Sequence, residues 1–155
     1  MRKLLFLLWL GLALAGVPAQ ATECSLATEQ MAKSHAERAA AFMRVHGPEA
    51  AFAAFMNRNG PFIAGDLYVF VLDFEGILRA SGAWQESVGA RIYFSPDGNS
   101  TIVGEILRVA REQGQGWVEY SWFNPCNRQR QPKASYVIRV GDFIVGVGAY
   151  KRPGV

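Results

Sequence analysis

The sequence predicts an α+β domain in which a long N-terminal helix packs on a five-stranded, largely antiparallel sheet. Three observations carry that prediction. From Thr22 to Val45 the chain is Ala-rich and holds no Gly or Pro, a helix pattern. After Gly65 it changes to strand-like runs such as "DLYVFVLD", whose side chains alternate between two apolar faces. Three further strand-like runs, Trp117–Phe123, Ser135–Val140 and Phe143–Tyr150, close the chain. Gly141-Asp142 joins the last two as a tight hairpin.

The opening "MRKLLFLLWLGLALAGVPAQA" reads as a secretory signal over residues 1–21. Arg2 and Lys3 are its charged start, Leu4 to Val17 its apolar stretch and Ala19-Gln20-Ala21 its small-x-small cleavage site. The alternative is a retained anchor, but Leu4 to Val17 is short of the roughly 20 residues that span a bilayer. The mature domain is expected to be 22–155. Thr22 or Ser25 caps the first helix, with Leu26, Ala27, Met31, Ala39, Phe42, Met43 and Val45 as its apolar positions. Gly47 stops it and Pro48 starts a second, shorter helix, "PEAAFAAFMN".

"DFEG" turns "DLYVFVLD" into "ILRASG", a hairpin. Residues 83–98 have no clear periodicity, and long connections of this kind are often functional. Asn99 or Ser100 caps a further helix that buries Ile102, Ile106, Val109 and Ala110 and ends at Gly114. In "GWVEYSWFNPC", Trp117, Glu119, Ser121 and Phe123 face one way and Val118, Tyr120, Trp122 and Asn124 the other. Large aromatics on both sides imply a sheet with no wet face, covered by the long helix on one side and by residues 83–114 on the other.

The formal net charge is +3; without Arg2 and Lys3 the count is 14 basic against 13 acidic residues, a net of +1. No basic stripe suggests nucleic acid. Cys24 and Cys126, an even pair in an exported chain, suggest a disulfide, with two free thiols as the alternative. No metal spacing is present: His35 and His46 are about three helical turns apart, too far to share an ion, and read as surface residues. "SPDGNS" lacks the spacing of a calcium loop and reads as a turn and helix cap. No nucleophile, zinc or phosphate-loop motif is found, and Asp66, Asp73 and Glu119 have no partner that the sequence identifies. Neither an enzyme nor a cofactor is expected.

The pieces "GDLYVFVLDFEGILRASG", "GQGWVEYSWFNP" and "PKASYVIRVGDFIVGVGAY", in this order and spacing, resemble the single-Cache domains, extracytoplasmic sensor modules with a PAS-like sheet. The likeness covers about Ala27 to Tyr150. It implies a small-ligand pocket on the sheet face opposite the long helix, and ligands such as short organic carboxylates. On that footing Tyr120 and Trp122 offer apolar walls with polar tips; core packing is their other reading. Lys133, matching the family's K-x-x-Y piece, is the candidate counter-ion, or else a solvated strand-end lysine. Tyr68, Tyr136 and Tyr150 fall in the motif pieces and are core positions first; Tyr68 and Tyr136 join the ligand-binding candidates. Trp84 is the candidate lid residue. Arg128 and Arg130 read as solvated loop residues. Family members usually sit between two membrane spans, whereas this chain ends five residues after its last strand. The resemblance therefore implies a periplasmic ligand-binding domain that works through a membrane-bound or periplasmic partner. The alternatives are an interaction scaffold with a vestigial pocket and, behind it, an unrecognised hydrolase.

Overall fold

The structure, a computed structural model, describes residues 27–92 and 102–151. Helix α1 runs Glu29–His46 and α2 Pro48–Met56. Strands β1 (Ile63–Ala64), β2 (Leu67–Asp73) and β3 (Leu78–Ser81) follow. A single 3-10 turn, Gln85–Ser87, and helix α3, Ile102–Glu112, precede β4 (Gln115–Phe123), β5 (Arg130–Val140) and β6 (Phe143–Tyr150).

The five expected strands form one antiparallel sheet in the order β3-β2-β6-β5-β4. A sixth, two-residue strand, β1, pairs with the start of β2. The middle strands are covered on both faces, so β2 is buried along its whole length. Asp73 closes the β2–β3 turn: its carboxylate accepts the Glu75 and Ile77 amides at 3.0 and 2.8 Å and pairs with Arg79 at 2.6 Å. Gly141, with φ 59°, makes the β5–β6 hairpin, the left-handed geometry that glycine tolerates.

One layer of core lies between α1 and the sheet. Ala32, Ala36, Ala39, Ala40 and Met43 recur at helical spacing and are buried. These small side chains let α1 lie close on Val69, Val71, Val145, Val147 and Ile138. Phe55 of α2 and Phe62 stack edge-on at 4.8 Å at one end of this layer. The helix cap is Thr28, whose hydroxyl accepts the Met31 amide at 3.2 Å, rather than Thr22 or Ser25, which lie outside the described residues. Met31 and Val45, expected on the apolar side, are exposed.

Two further expectations are corrected here. His35 is no surface residue: it is 4% exposed, with Nε2 3.0 Å from the Phe62 carbonyl and Nδ1 2.9 Å from Arg38. A guanidinium only donates, so Nδ1 accepts and Nε2 carries the proton. Burial, with Arg38 adding to it, holds His35 below its ordinary value against the Phe62 hydrogen bond. The sheet also has a wet region. α1 lies over β5 and β6, which leaves Trp117, Glu119 and Ser121 of β4 exposed. Glu119 pairs there with Lys151 at 2.8 Å. No strand lies beyond β4 among the described residues.

Candidate functional site

The second face of the sheet is hollow. A cavity of about 340 Å³ lies between β2, β3, β4, α3 and the segment after β3. Strand alternation selects its floor: Tyr68, Phe70 and Leu72 of β2 and Tyr120 and Trp122 of β4 all line it. β6 turns Ile144, Gly146, Gly148 and Tyr150 toward this side, and the two glycines make the hollow possible. A Cβ on Gly146 would come within 2.2 Å of the Phe70 ring, and one on Gly148 within 2.2 Å of Lys133 Cε and Ser135 Oγ. Phe70 and Lys133 therefore lie flat across β6 where side chains would otherwise stand.

Lys133 is not the solvated strand end of the sequence reading. β5 begins at Arg130, and Lys133 is 1% exposed. Its Nζ donates to the Tyr68 hydroxyl at 2.9 Å and lies 4.1 and 4.6 Å from the ring centres of Tyr68 and Tyr150. Among the described residues Lys133 forms no direct ion pair; the buried Asp66 carboxyl feels its charge only through space. It does not line the cavity itself; Tyr68 carries its influence to the wall.

Trp84 Nε1 also donates to the Tyr68 hydroxyl, at 3.2 Å. Lysine and indole nitrogens only donate, so both Tyr68 lone pairs are engaged. The Tyr68 proton then points to Tyr150 at 3.3 Å, and Tyr150 donates to the Phe123 carbonyl at 2.9 Å. Burial raises the Tyr68 phenol, but the Lys133 ammonium and the hydrogen bonds from Lys133 and Trp84 outweigh it and hold Tyr68 below its ordinary value. Tyr120 and Tyr150 are pushed upward, chiefly by burial. Tyr120 shares a 2.7 Å hydrogen bond with Ser135.

Four of the sequence candidates, Tyr68, Trp84, Tyr120 and Trp122, thus meet around one cavity. Tyr136 does not join them. It lies on the opposite face, against Trp117 and under Lys33, because neighbouring strand residues alternate. Arg130, read as a solvated loop residue, lines the cavity at β4's open end, where its guanidinium donates to the Ser121 carbonyl at 3.2 Å. Phe123, Ser81 and Ser87 were not singled out and also line it. The signal for the hollow was the alternating glycine of "FIVGVGAY", which empties one face of a buried strand. The three carboxylates weighed in the sequence each have a partner: Asp66 accepts the Ala27 amide at 3.1 Å, Asp73 holds Arg79 and Glu119 holds Lys151. Among the described residues no three metal-ligating side chains converge.

An antiparallel sheet packed by a long helix on one face and hollowed into a small, partly polar cavity on the other is the build of a small-molecule binding module. The chain belongs to the single Cache domain 2 family, which its sequence matches over residues 15–152. Its fold is similar to that of a methyl-accepting chemotaxis protein from Vibrio parahaemolyticus, with TM-score 0.65 and 17% identity over 78% of this chain and 86% of that one. The periplasmic sensor domain of a chemotaxis protein matches with TM-score 0.59 and 24% identity over 79% and 90% of the two chains. A Cache chemosensory domain described for carboxylic acid recognition matches with TM-score 0.59 and 18% identity over 79% and 88%.

Proposed function

We propose that this protein is an extracytoplasmic sensor-type domain that binds a small organic anion in the cavity and acts through a partner protein. The observation that carries the reading is electrostatic. Lys133 is a buried cation with no direct ion pair among the described residues, one hydroxyl away from the cavity wall, and Arg130 is a second cation on that wall. No acidic side chain is among the described lining residues. An anion entering this space gains charge-assisted hydrogen bonds, which are the stronger kind. Trp84 is the group free to turn toward it, because its N–H can leave Tyr68 while Lys133 stays. The description of one structural neighbour, a Cache chemosensory domain, in terms of carboxylic acid recognition supports the same reading.

The location rests on the signal-like residues 1–21 and on the family. Among the described residues no helix is long and apolar enough to cross a membrane. The proposed Cys24–Cys126 bond agrees with Cys126 not being a free thiol; Cys24 lies outside the described residues. Intact mass of the exported protein tests both: loss of 21 residues and no alkylatable thiol are expected. The binding reading is tested by titration calorimetry with organic carboxylates. Binding by the wild type and a clear loss in Arg130→Gln and Lys133→Met support it. A protein that takes up no carboxylate is better described as a scaffold.

A further inference from the structure

The size and polarity of the cavity say which organic anion. We infer that the ligand is an amphipathic monocarboxylate with a sizeable apolar tail, of about eight carbons, rather than a two- or three-carbon acid or an amino acid. The inference rests on the anion reading above.

The cavity is polar at one end and apolar at the other, and the strand register fixes the direction. Leu72 lies opposite Leu78 on β3 and Ile144 on β6, three aliphatic side chains; Arg139 of β5, the next partner of Ile144, is exposed and does not line the cavity. Two residues back along β2, Phe70 lies opposite Gly146, which pairs in turn with Val137. The next level holds Tyr68, and the following ones hold Lys133 opposite Tyr150 and Tyr120, then Trp122, then Arg130 beside Phe123. Around the cavity the cations, Arg130 on the wall and the buried Lys133 behind it, thus lie at one end of the strands and the aliphatic side chains at the other. Helix α3 closes the aliphatic end with Val103 and Ile106. From Tyr68 to Leu72 the floor runs four residues of strand, roughly 13 Å.

The volume agrees. About 340 Å³ is roughly twice the 150 Å³ of a dry cavity that takes benzene, so there is room for on the order of twelve heavy atoms. Acetate fills a small part of that and leaves the aliphatic end without contacts. An amino acid is disfavoured for a separate reason. Its ammonium would face Lys133 and Arg130 with no acidic group among the described lining residues.

The test is a titration series on the purified protein with sodium acetate, butanoate, hexanoate and octanoate at one pH and ionic strength. Octan-1-ol and 2-aminooctanoate serve as controls. Each added methylene that enters the cavity should tighten binding roughly three- to fourfold, so octanoate should exceed acetate by at least about a hundredfold. 2-Aminooctanoate should bind at least about tenfold more weakly than octanoate. Val103→Phe, which fills the aliphatic end, should remove most of the octanoate advantage and spare butanoate. If that variant fails to fold, Ile102→Phe at a half-buried lining position makes the same test. Acids that bind with affinity flat or falling in chain length overturn this inference and leave the anion site standing. Octan-1-ol binding as tightly as octanoate overturns the anion reading, and the carboxylate half of this inference with it. No binding by any acid overturns both.

Discussion

The two faces of the sheet are built from the same strands, and they differ in what every second residue does. Toward α1, β6 presents Val145, Val147 and Ala149, all buried and all meeting apolar side chains. Toward the cavity it presents Ile144, Gly146, Gly148 and Tyr150, where two of four positions have no side chain. On the helix face close packing is the source of stability, and any void is a loss. On the other face the void is kept open by omission, and the groups around it are hydrogen-bonded to one another. Folding and binding are therefore separable by face.

Phe55→Ala breaks the comparison from the helix side. Phe55 is fully buried between α1 and Phe62, so denaturant unfolding should show a loss of about 3–5 kcal/mol. Ligand affinity should not change, and a parallel loss of affinity would show that the faces are coupled. Gly146→Ala attacks the open face. Its Cβ forces the Phe70 ring up into the cavity, which should cost about 1–3 kcal/mol of stability and weaken binding of the longer acids first.

Lys133→Met sharpens the contrast. It removes a buried charge that has no direct ion pair among the described residues, so stability should hold or rise, while Tyr68 keeps the Trp84 hydrogen bond. Calorimetry should show carboxylate affinity falling by about 1.5–3 kcal/mol, roughly ten- to a hundredfold. A large drop in stability with unchanged affinity would make Lys133 a structural residue. The smallest effect belongs to His35 on the helix face. Its folded value lies below the ordinary 6.5, so the unfolded chain takes up the proton first. Stability should be full above about pH 6.5 and decline as pH falls toward the lowered folded value, levelling below it. His35→Gln should flatten the pH dependence of the urea midpoint relative to wild type.

The order of elements was legible because each has a local cause: the Ala-rich run, the Gly47-Pro48 stop and start, the alternating apolar strands. His35 was also legible and was misread. It sits between Ala32 and Ala39 on the buried stripe, at spacings of three and four, so its place was set by its neighbours and not by its own polarity. Parity likewise separates Lys133 from Tyr136: three residues apart in the middle of β5, they face opposite sides of the sheet. The environment of Lys133 was not legible. It depends on Gly148 clearing its path and on Tyr68, sixty-five positions earlier, accepting its hydrogen bond, and a single sequence does not give that register. Arg130 was missed because alternation assigns it and its partner Phe123 to the other face, yet at the open end of the β4–β5 hairpin both line the cavity.

Strand β4 has one consequence beyond binding. It is the sheet's edge, nine residues long, with Trp117 and Phe123 exposed, and its outer backbone groups are a template on which another chain can add a strand. Glu119, tethered to Lys151 in the middle of this edge, is the charge that opposes such addition. A surface pair of this kind adds little to folding stability, so its value is in keeping the molecule soluble. Because Tyr120 follows Glu119 directly and faces the cavity from the other side of the strand, solubility and cavity shape are written in adjacent letters. Substitutions that make β4 more apolar to improve binding will push the protein toward self-association.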